Sequence, residues 1–323
     1  MDSSLLEVKD LKTCFVTEAG SALAVDSVSF DVSERQVVGI VGESGCGKSV
    51  CALSILRLVP APGKIAGGRI LFDGKDLLAV SESEMREIRG NEISMIFQEP
   101  MTSLNPVFRV EEQVSEVLLR HRRISKKEAR LRVIELLDLA GIPSAQTRMR
   151  DYPHQMSGGM RQRVMIAMAI ACNPRLIIAD EPTTALDVTI QAQILSVLDR
   201  LRDEHSMSIL LITHDLGVIA EAAEHVIVMY TGRIVEKATV GELFADPLHP
   251  YTRGLMRSAP GRSSGDGKKR LEPISGVVPS LFALPPGCKF NTRCPFVFDR
   301  CHKEEPPLQA PAGGHPVRCW LYG

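Results

Sequence analysis

The sequence predicts an α/β protein built on a parallel sheet buried on both faces. Short continuous apolar runs alternate with helical patterns, and the first run stops at a glycine-rich loop that opens a helix. The runs are Val37-Val38-Gly39-Ile40-Val41, Ile93–Phe97, Leu176–Ala179, Ile209–Thr213 and Val226–Met229. A strand wet on one face would alternate apolar with polar residues, and these do not.

Ahead of the runs, Val28, Phe30 and Val32 alternate with Ser27, Ser29 and Asp31. That period of two makes the first forty residues strands joined by turns. From Lys48 to Leu58 the pattern is helical and ends before Pro60, and a further strand reads at Arg69–Phe72. Between about Val110 and Ile170 the strand signal vanishes and three helical patterns follow, one closed by Gly141-Ile142-Pro143. This predicts a helical subdomain inserted at about 100–165. Its net charge of +5 between Arg109 and Arg163 reads as a solvated helical surface. Residues 261–270 are rich in Gly, Ser and Lys and read as a linker. The expected domains are therefore 1–259 and a lobe at 260–323.

Lys and Arg number 38 against 39 Asp and Glu, which argues against a protein whose main task is binding nucleic-acid backbone. With 323 residues, 44% of them apolar, the chain can bury a sizeable core. No apolar stretch approaches the roughly 18 residues that span a bilayer, and the start lacks the features of a signal peptide. A soluble, cytosolic chain is expected, in which cysteines stay reduced.

Gly42-Glu43-Ser44-Gly45-Cys46-Gly47-Lys48-Ser49 fits G-x-x-x-x-G-K-[ST] between an apolar strand and a helix. The glycines let backbone N–H groups turn inward around phosphates, and the helix N-terminus adds its dipole. Lys48 is placed to reach the β- and γ-phosphates and Ser49 to ligate Mg²⁺. The strand Leu176–Ala179 delivers Asp180 and Glu181 at its C-terminal end, where open α/β sheets bind ligands. Asp180 suits Mg²⁺ through water, and Glu181 suits polarising an attacking water.

With these motifs the chain resembles the ATP-binding subunits of ABC transporters. The resemblance rests further on Ser157-Gly158-Gly159-Met160-Arg161-Gln162, similar to the signature motif, on Gln98 as the Q-loop, on Ala185-Leu186-Asp187 as the D-loop, and on His214 after its strand as the switch histidine. It implies a nucleotide-binding domain with a RecA-like parallel core sheet, an N-terminal antiparallel β subdomain, the helical insertion and a small cysteine-bearing C-terminal lobe. It also implies catalytic roles for Glu181, His214 and Gln98, the last also near Mg²⁺. Nucleotide contacts are implied for the glycine loop, Asp180, Ser157, Gly158, Gly159 and Asp187, with Phe15 stacking on adenine. Met160 departs from the pattern, which has glutamine there.

Pro100-Met101-Thr102-Ser103-Leu104-Asn105-Pro106 and His249-Pro250-Tyr251-Thr252-Arg253-Gly254-Leu255 resemble peptide importers of the dipeptide, oligopeptide and nickel group. The resemblance implies ATP hydrolysis coupled to peptide uptake, with nickel or another small solute as the alternative and a non-transport ABC ATPase acting on nucleic acid further off. The implied partners are a second, paralogous ATPase subunit, two transmembrane permease subunits and, indirectly, an extracytoplasmic solute-binding protein. The expected location is peripheral, on the cytoplasmic face of a bacterial inner membrane.

Four of the eight cysteines, Cys288, Cys294, Cys301 and Cys319, crowd into the last 36 residues. Their spacing lacks the paired C-x-x-C knuckles of a typical zinc site. Lys289, Arg293 and Arg318 stand beside them, and Cys294-Pro295 resembles the end of a ferredoxin ligand run. The resemblance implies a [4Fe-4S] cluster on these four cysteines, with zinc as the alternative.

Overall fold

The computed structural model describes residues 4–18, 20–99, 103–184, 186–258 and 273–323. The expected linker at 261–270, Pro100-Met101-Thr102 and Ala185 lie outside the described residues. The chain divides into two compact units, one of residues 4–32, 37–78 and 212–323 and one of residues 33–36 and 79–211.

The first unit holds a four-stranded antiparallel sheet in the order β2-β1-β4-β5, with β1 Ser4–Thr17, β2 Gly20–Ser33, β4 Gly63–Phe72 and β5 Lys75–Asp76. β1 pairs with β4 from Leu6↔Phe72 to Phe15↔Gly63, with register shifts between Lys9 and Thr13. β3 (Val37–Val41) is buried at every position, which accounts for its unbroken apolar sequence. It runs parallel to β9 (His225–Tyr230), from Val38↔His225 to Val41↔Val228. β10 (Arg233–Thr239) folds back antiparallel on β9.

Helix α1 covers Lys48–Ile55, shorter than the sequence pattern suggests. Arg57 turns into the left-handed region at φ 54 and its N–H returns to the Ser54 carbonyl at 3.0 Å, which stops the helix a turn early. Thr13 on β1 shares a buried 2.8 Å hydrogen bond with Ser54, pinning α1 to the antiparallel sheet.

The outer edge of β10 is covered by the chain terminus. Lys237 N–H donates to the Pro316 carbonyl at 2.9 Å and Arg318 N–H to the Val235 carbonyl at 2.8 Å, while Val317 is fully buried. Beneath this strap the Glu236 carboxylate is fully buried. It accepts from the N–H groups of Leu248 (2.6 Å) and His249 (3.0 Å) and from the Thr252 hydroxyl, and His315 Nε2 stands 2.6 Å away. A buried carboxylate persists only when its oxygens are so occupied, and here they tie β10, the helix Pro250–Ser258 and the terminal strap together.

The second unit contains β6 (Ile93–Ile96), parallel to β7 (Leu176–Asp180) from Ile93↔Leu176 to Ile96↔Ala179. β8 (Ser208–Thr213) crosses the division between the units. Helices α2 (Glu82–Ile88) and α4 (Lys126–Leu139) open with capping boxes, Ser81 with Glu84 and Ser125 with Glu128. Between β6 and β7 lie α3 (Val110–His121), α4, the short α5 (Ala145–Arg148) and α6 (Gly158–Ile170). The expected helical insertion is thus present. α3, α4 and α6 pack on Val114, Leu118, Val133, Leu137, Val164 and Ile166, all buried. α4 ends before Gly141 (φ 79), as its sequence predicts. α7 (Val188–His205) completes the unit.

Candidate nucleotide site and cysteine lobe

The loop Gly42–Ser49 leaves fully buried β3 and enters α1 at Lys48. Gly47 is required by space as well as by rotation. At Gly47 the backbone sits at φ 101, and a β-carbon there would run into the Ala24 carbonyl oxygen. Lys48 is 4% exposed, and its ammonium donates to the carbonyls of Gly42 (2.7 Å) and Glu43 (3.1 Å), so the charge is held at the mouth of the loop. Burial raises the Cys46 thiol, which therefore stays neutral beside that ammonium. Phe15, on β1 of the same unit, is half-buried with its ring edge against Gly63. His214 directly follows β8 and is exposed.

In the second unit, β7 ends in buried Asp180 and half-buried Glu181. Glu181 adopts φ 46, a left-handed conformation unusual for a glutamate. Its Oε2 accepts from the Gln98 amide nitrogen at 3.0 Å and from the Thr184 hydroxyl at 2.8 Å, so the structure joins the two predicted residues and adds Thr184, which the sequence reading did not include. Strain at such a position persists where surrounding bonds over-determine it.

Ser157 caps α6, accepting from the Met160 N–H at 3.3 Å. Ser157 and Gly158 are exposed, and no acidic side chain lies in the helix's first turn, which leaves its positive end open to an anion. Met160 sits half-buried within that turn. Asp187 caps α7 through the Ile190 N–H at 3.0 Å and is exposed.

In the C-terminal lobe, Cys288, Cys294, Cys301 and Cys319 line one small cavity together with Phe290, Phe296 and Trp320. All the described cysteines are free. The backbone N–H groups of Phe290, Phe296 and Leu321 bond to the sulfurs of Cys288, Cys294 and Cys319, each two residues back. Burial nevertheless pushes the Cys288 thiol up to about 12 and the Cys319 thiol up to about 11. Among the described residues, no three His, Cys, Asp or Glu side chains are grouped so as to hold a metal ion.

A G-x-x-x-x-G-K-S loop between a strand and a helix, and an Asp-Glu pair at the end of another buried strand, are the marks of the P-loop nucleotide hydrolases. Comparison with known proteins narrows that class. The profile described as ABC transporter matches residues 25–184, and the one described as oligopeptide/dipeptide transporter, C-terminal region, matches residues 235–301. A dimeric ATP-binding cassette solved in a post-hydrolysis state with ADP and Pi is 29% identical, with a TM-score of 0.66 over 73% of this chain and 98% of that one. The oligopeptide transport ATP-binding protein AppD of Bacillus subtilis is 54% identical, over 99% of this chain and 97% of its own. The dipeptide transport ATP-binding protein DppD of the same organism is 51% identical over 98% and 94%, and that of Haemophilus influenzae 49% over 98% and 95%. The chain belongs to the ABC transporter ATP-binding subunits of the oligopeptide and dipeptide group. It is an ATP-hydrolysing subunit of that group. No helix among the described residues is long and apolar enough to cross a membrane.

Proposed function

We propose that the chain powers peptide uptake from the membrane periphery by closing head to tail on a second, paralogous ATPase subunit, with ATP between the Gly42–Ser49 loop of one and the Ser157 end of α6 of the other. The observation that carries this reading is that open helix end: Ser157 and Gly158 are exposed, with a free positive dipole and no anion of their own. Two permease subunits receive the motion through the Gln98 segment and the helical insertion, and a solute-binding protein outside the membrane delivers the peptide.

Each named residue has a part in that cycle. Glycine-loop N–H groups and Lys48 bind the phosphates. Ser49 and Asp180 serve Mg²⁺, with Gln98 beside it. Glu181 polarises the attacking water, held by Gln98 and Thr184, while His214 and Asp187 complete the closed site and Phe15 supports the base. ATP binds the closed pair better than the open one because closure adds donors to the γ-phosphate, and hydrolysis removes that difference. Steady-state ATPase of the purified chain, measured against protein concentration and with the permeases added, tests the reading. A rate per subunit that rises with both is expected, and a full rate independent of both would overturn it.

The lobe at 260–323 has a role of its own in this reading: Cys288, Cys294, Cys301 and Cys319 hold an iron–sulfur cluster. The chemistry of the donor set supports this. Four sulfurs face one cavity, and those of Cys288, Cys294 and Cys319 accept amide hydrogen bonds that favour thiolate while burial raises these three thiols, so a positive centre would replace their protons. The cluster would supply a cross-link for a lobe with little apolar core.

A further inference from the structure

The phosphate loop is held from behind by the C-terminal lobe. Glu43, the residue after Gly42, receives the Arg293 guanidinium in a two-pronged contact, with nitrogen–oxygen distances of 2.6 and 3.0 Å. The Glu43 N–H donates to the Tyr251 hydroxyl at 2.7 Å. The N–H and the carboxylate of this loop residue are thereby directed at side chains from 208 and 250 positions further along the chain.

The anchor is rigid. The Arg293 side chain is only 3% exposed, and its Nε donates to the Ser275 carbonyl at 3.0 Å. Its guanidinium carbon lies 5.8 Å from the ring centres of both Tyr230 and Phe290. Tyr230, Tyr251 and Phe290 pack on one another at centroid separations of 4.7 to 5.5 Å, so arginine, rings and loop form one block. Within it Glu43 would otherwise bring a free negative charge to a loop that must receive a polyphosphate. A buried arginine in fork geometry neutralises that charge and fixes where it points.

We propose that Arg293 and Tyr251 are positioning residues for nucleotide binding: they hold the phosphate loop through Glu43 and cancel its charge, so that ATP affinity depends on the C-terminal lobe. The inference rests on Gly42–Ser49 being the phosphate site. Arg293 directly precedes Cys294, so a disturbance of the cysteine cavity reaches the loop through a single peptide unit.

The test is equilibrium binding of ATP and AMP to the full-length chain, with the fold of each variant checked by circular dichroism. Arg293→Gln leaves Glu43 charged and unpaired, and should weaken ATP binding about tenfold, more than it weakens AMP, because repulsion grows with phosphate charge. Glu43→Gln combined with Arg293→Gln should restore ATP affinity to within about threefold of wild type. Should Arg293→Gln fail to fold, Glu43→Asp provides the same test from the loop side: it keeps the charge, shortens its reach to the lobe, and is expected to weaken ATP more than AMP. Equal losses for ATP and AMP, or a double variant as weak as Arg293→Gln, would show a merely structural contact and overturn the proposal. Lys48→Ala separates this from failure of the site itself. If that variant also binds ATP normally, the phosphate loop has been misassigned; if only the Arg293 and Glu43 variants are silent, the positioning role alone falls.

Discussion

The Gln98 amide nitrogen lies 3.0 Å from Oε2 of Glu181, bridging residues 83 apart in sequence. The Thr184 hydroxyl donates to the same oxygen at 2.8 Å, so two side chains fix how the carboxylate is turned. Glu181→Gln preserves shape and removes the charge. Hydrolysis in the assembled complex is expected to fall by at least about a hundredfold while ATP binding stays within a few-fold. Near-normal turnover would remove Glu181 from the role of general base. Gln98→Ala takes away one support and leaves the Thr184 hydroxyl in place, so it should cost activity less than Glu181→Gln does.

Lys48 provides the complementary case. Its ammonium is parked on the carbonyls of Gly42 and Glu43, ready to exchange them for phosphate oxygens. Lys48→Ala should weaken ATP binding itself by about 10- to 100-fold, the worth of a charge-assisted hydrogen bond. Calorimetric titration measures it, and unchanged affinity would contradict the assignment.

Glu236 governs stability. Replacing it with leucine would strand the N–H groups of Leu248 and His249 and the Thr252 hydroxyl in a dry interior. The loss expected from urea unfolding is about 3 kcal/mol or more. A loss below about 1 kcal/mol would mean that water enters and satisfies the donors.

His249 makes the same region acid-sensitive. Its ring is buried, and burial lowers its pKa to about 3 from the usual 6.5. Nδ1 accepts from the Tyr251 N–H at 3.0 Å, which requires that nitrogen to be unprotonated. Between those two values the unfolded chain binds a proton that the folded chain refuses, so stability is complete above about pH 6.5 and falls as pH drops toward 3. Between pH 6.5 and 5 this ring alone should cost about 2 kcal/mol. The melting temperature of wild type should therefore fall more steeply than that of His249→Phe as pH drops from 6.5 to 5, and equal slopes would rule the ring out.

For the cysteine lobe, anaerobic purification with iron, sulfide and zinc analysis is decisive. Coloured protein with iron and sulfide in equal amounts is expected, and Cys301→Ala should lose both. Colourless protein with one zinc would overturn the cluster, and metal-free protein would overturn any metal on these cysteines.

Much of this could be read in the sequence because it is local. The glycine loop, the Asp180-Glu181 strand end and the caps at Ser157 and Asp187 each depend on residues within a few positions of one another. β10 escaped notice because Glu236 and Lys237 interrupt its apolar pattern, and the charge that spoils the pattern is the buried carboxylate that holds the region together. The Glu43–Arg293 contact was equally invisible, since nothing in either segment encodes a partner 250 residues away. The Gln98–Glu181 bond lies between these extremes: the sequence marks both residues, but their contact depends on β6 and β7 pairing in parallel register.

The strap over β10 gives the chain an order of manufacture. The guanidinium that closes on the Ile234 carbonyl belongs to Arg318, 84 residues later. At roughly 5 to 20 residues per second, translation leaves that strand edge bare for on the order of ten seconds. During that interval it is a template for any other extended segment nearby. A ribosome that stalls late, or a protease that clips the tail, releases a protein complete in its nucleotide loop yet adhesive along one edge.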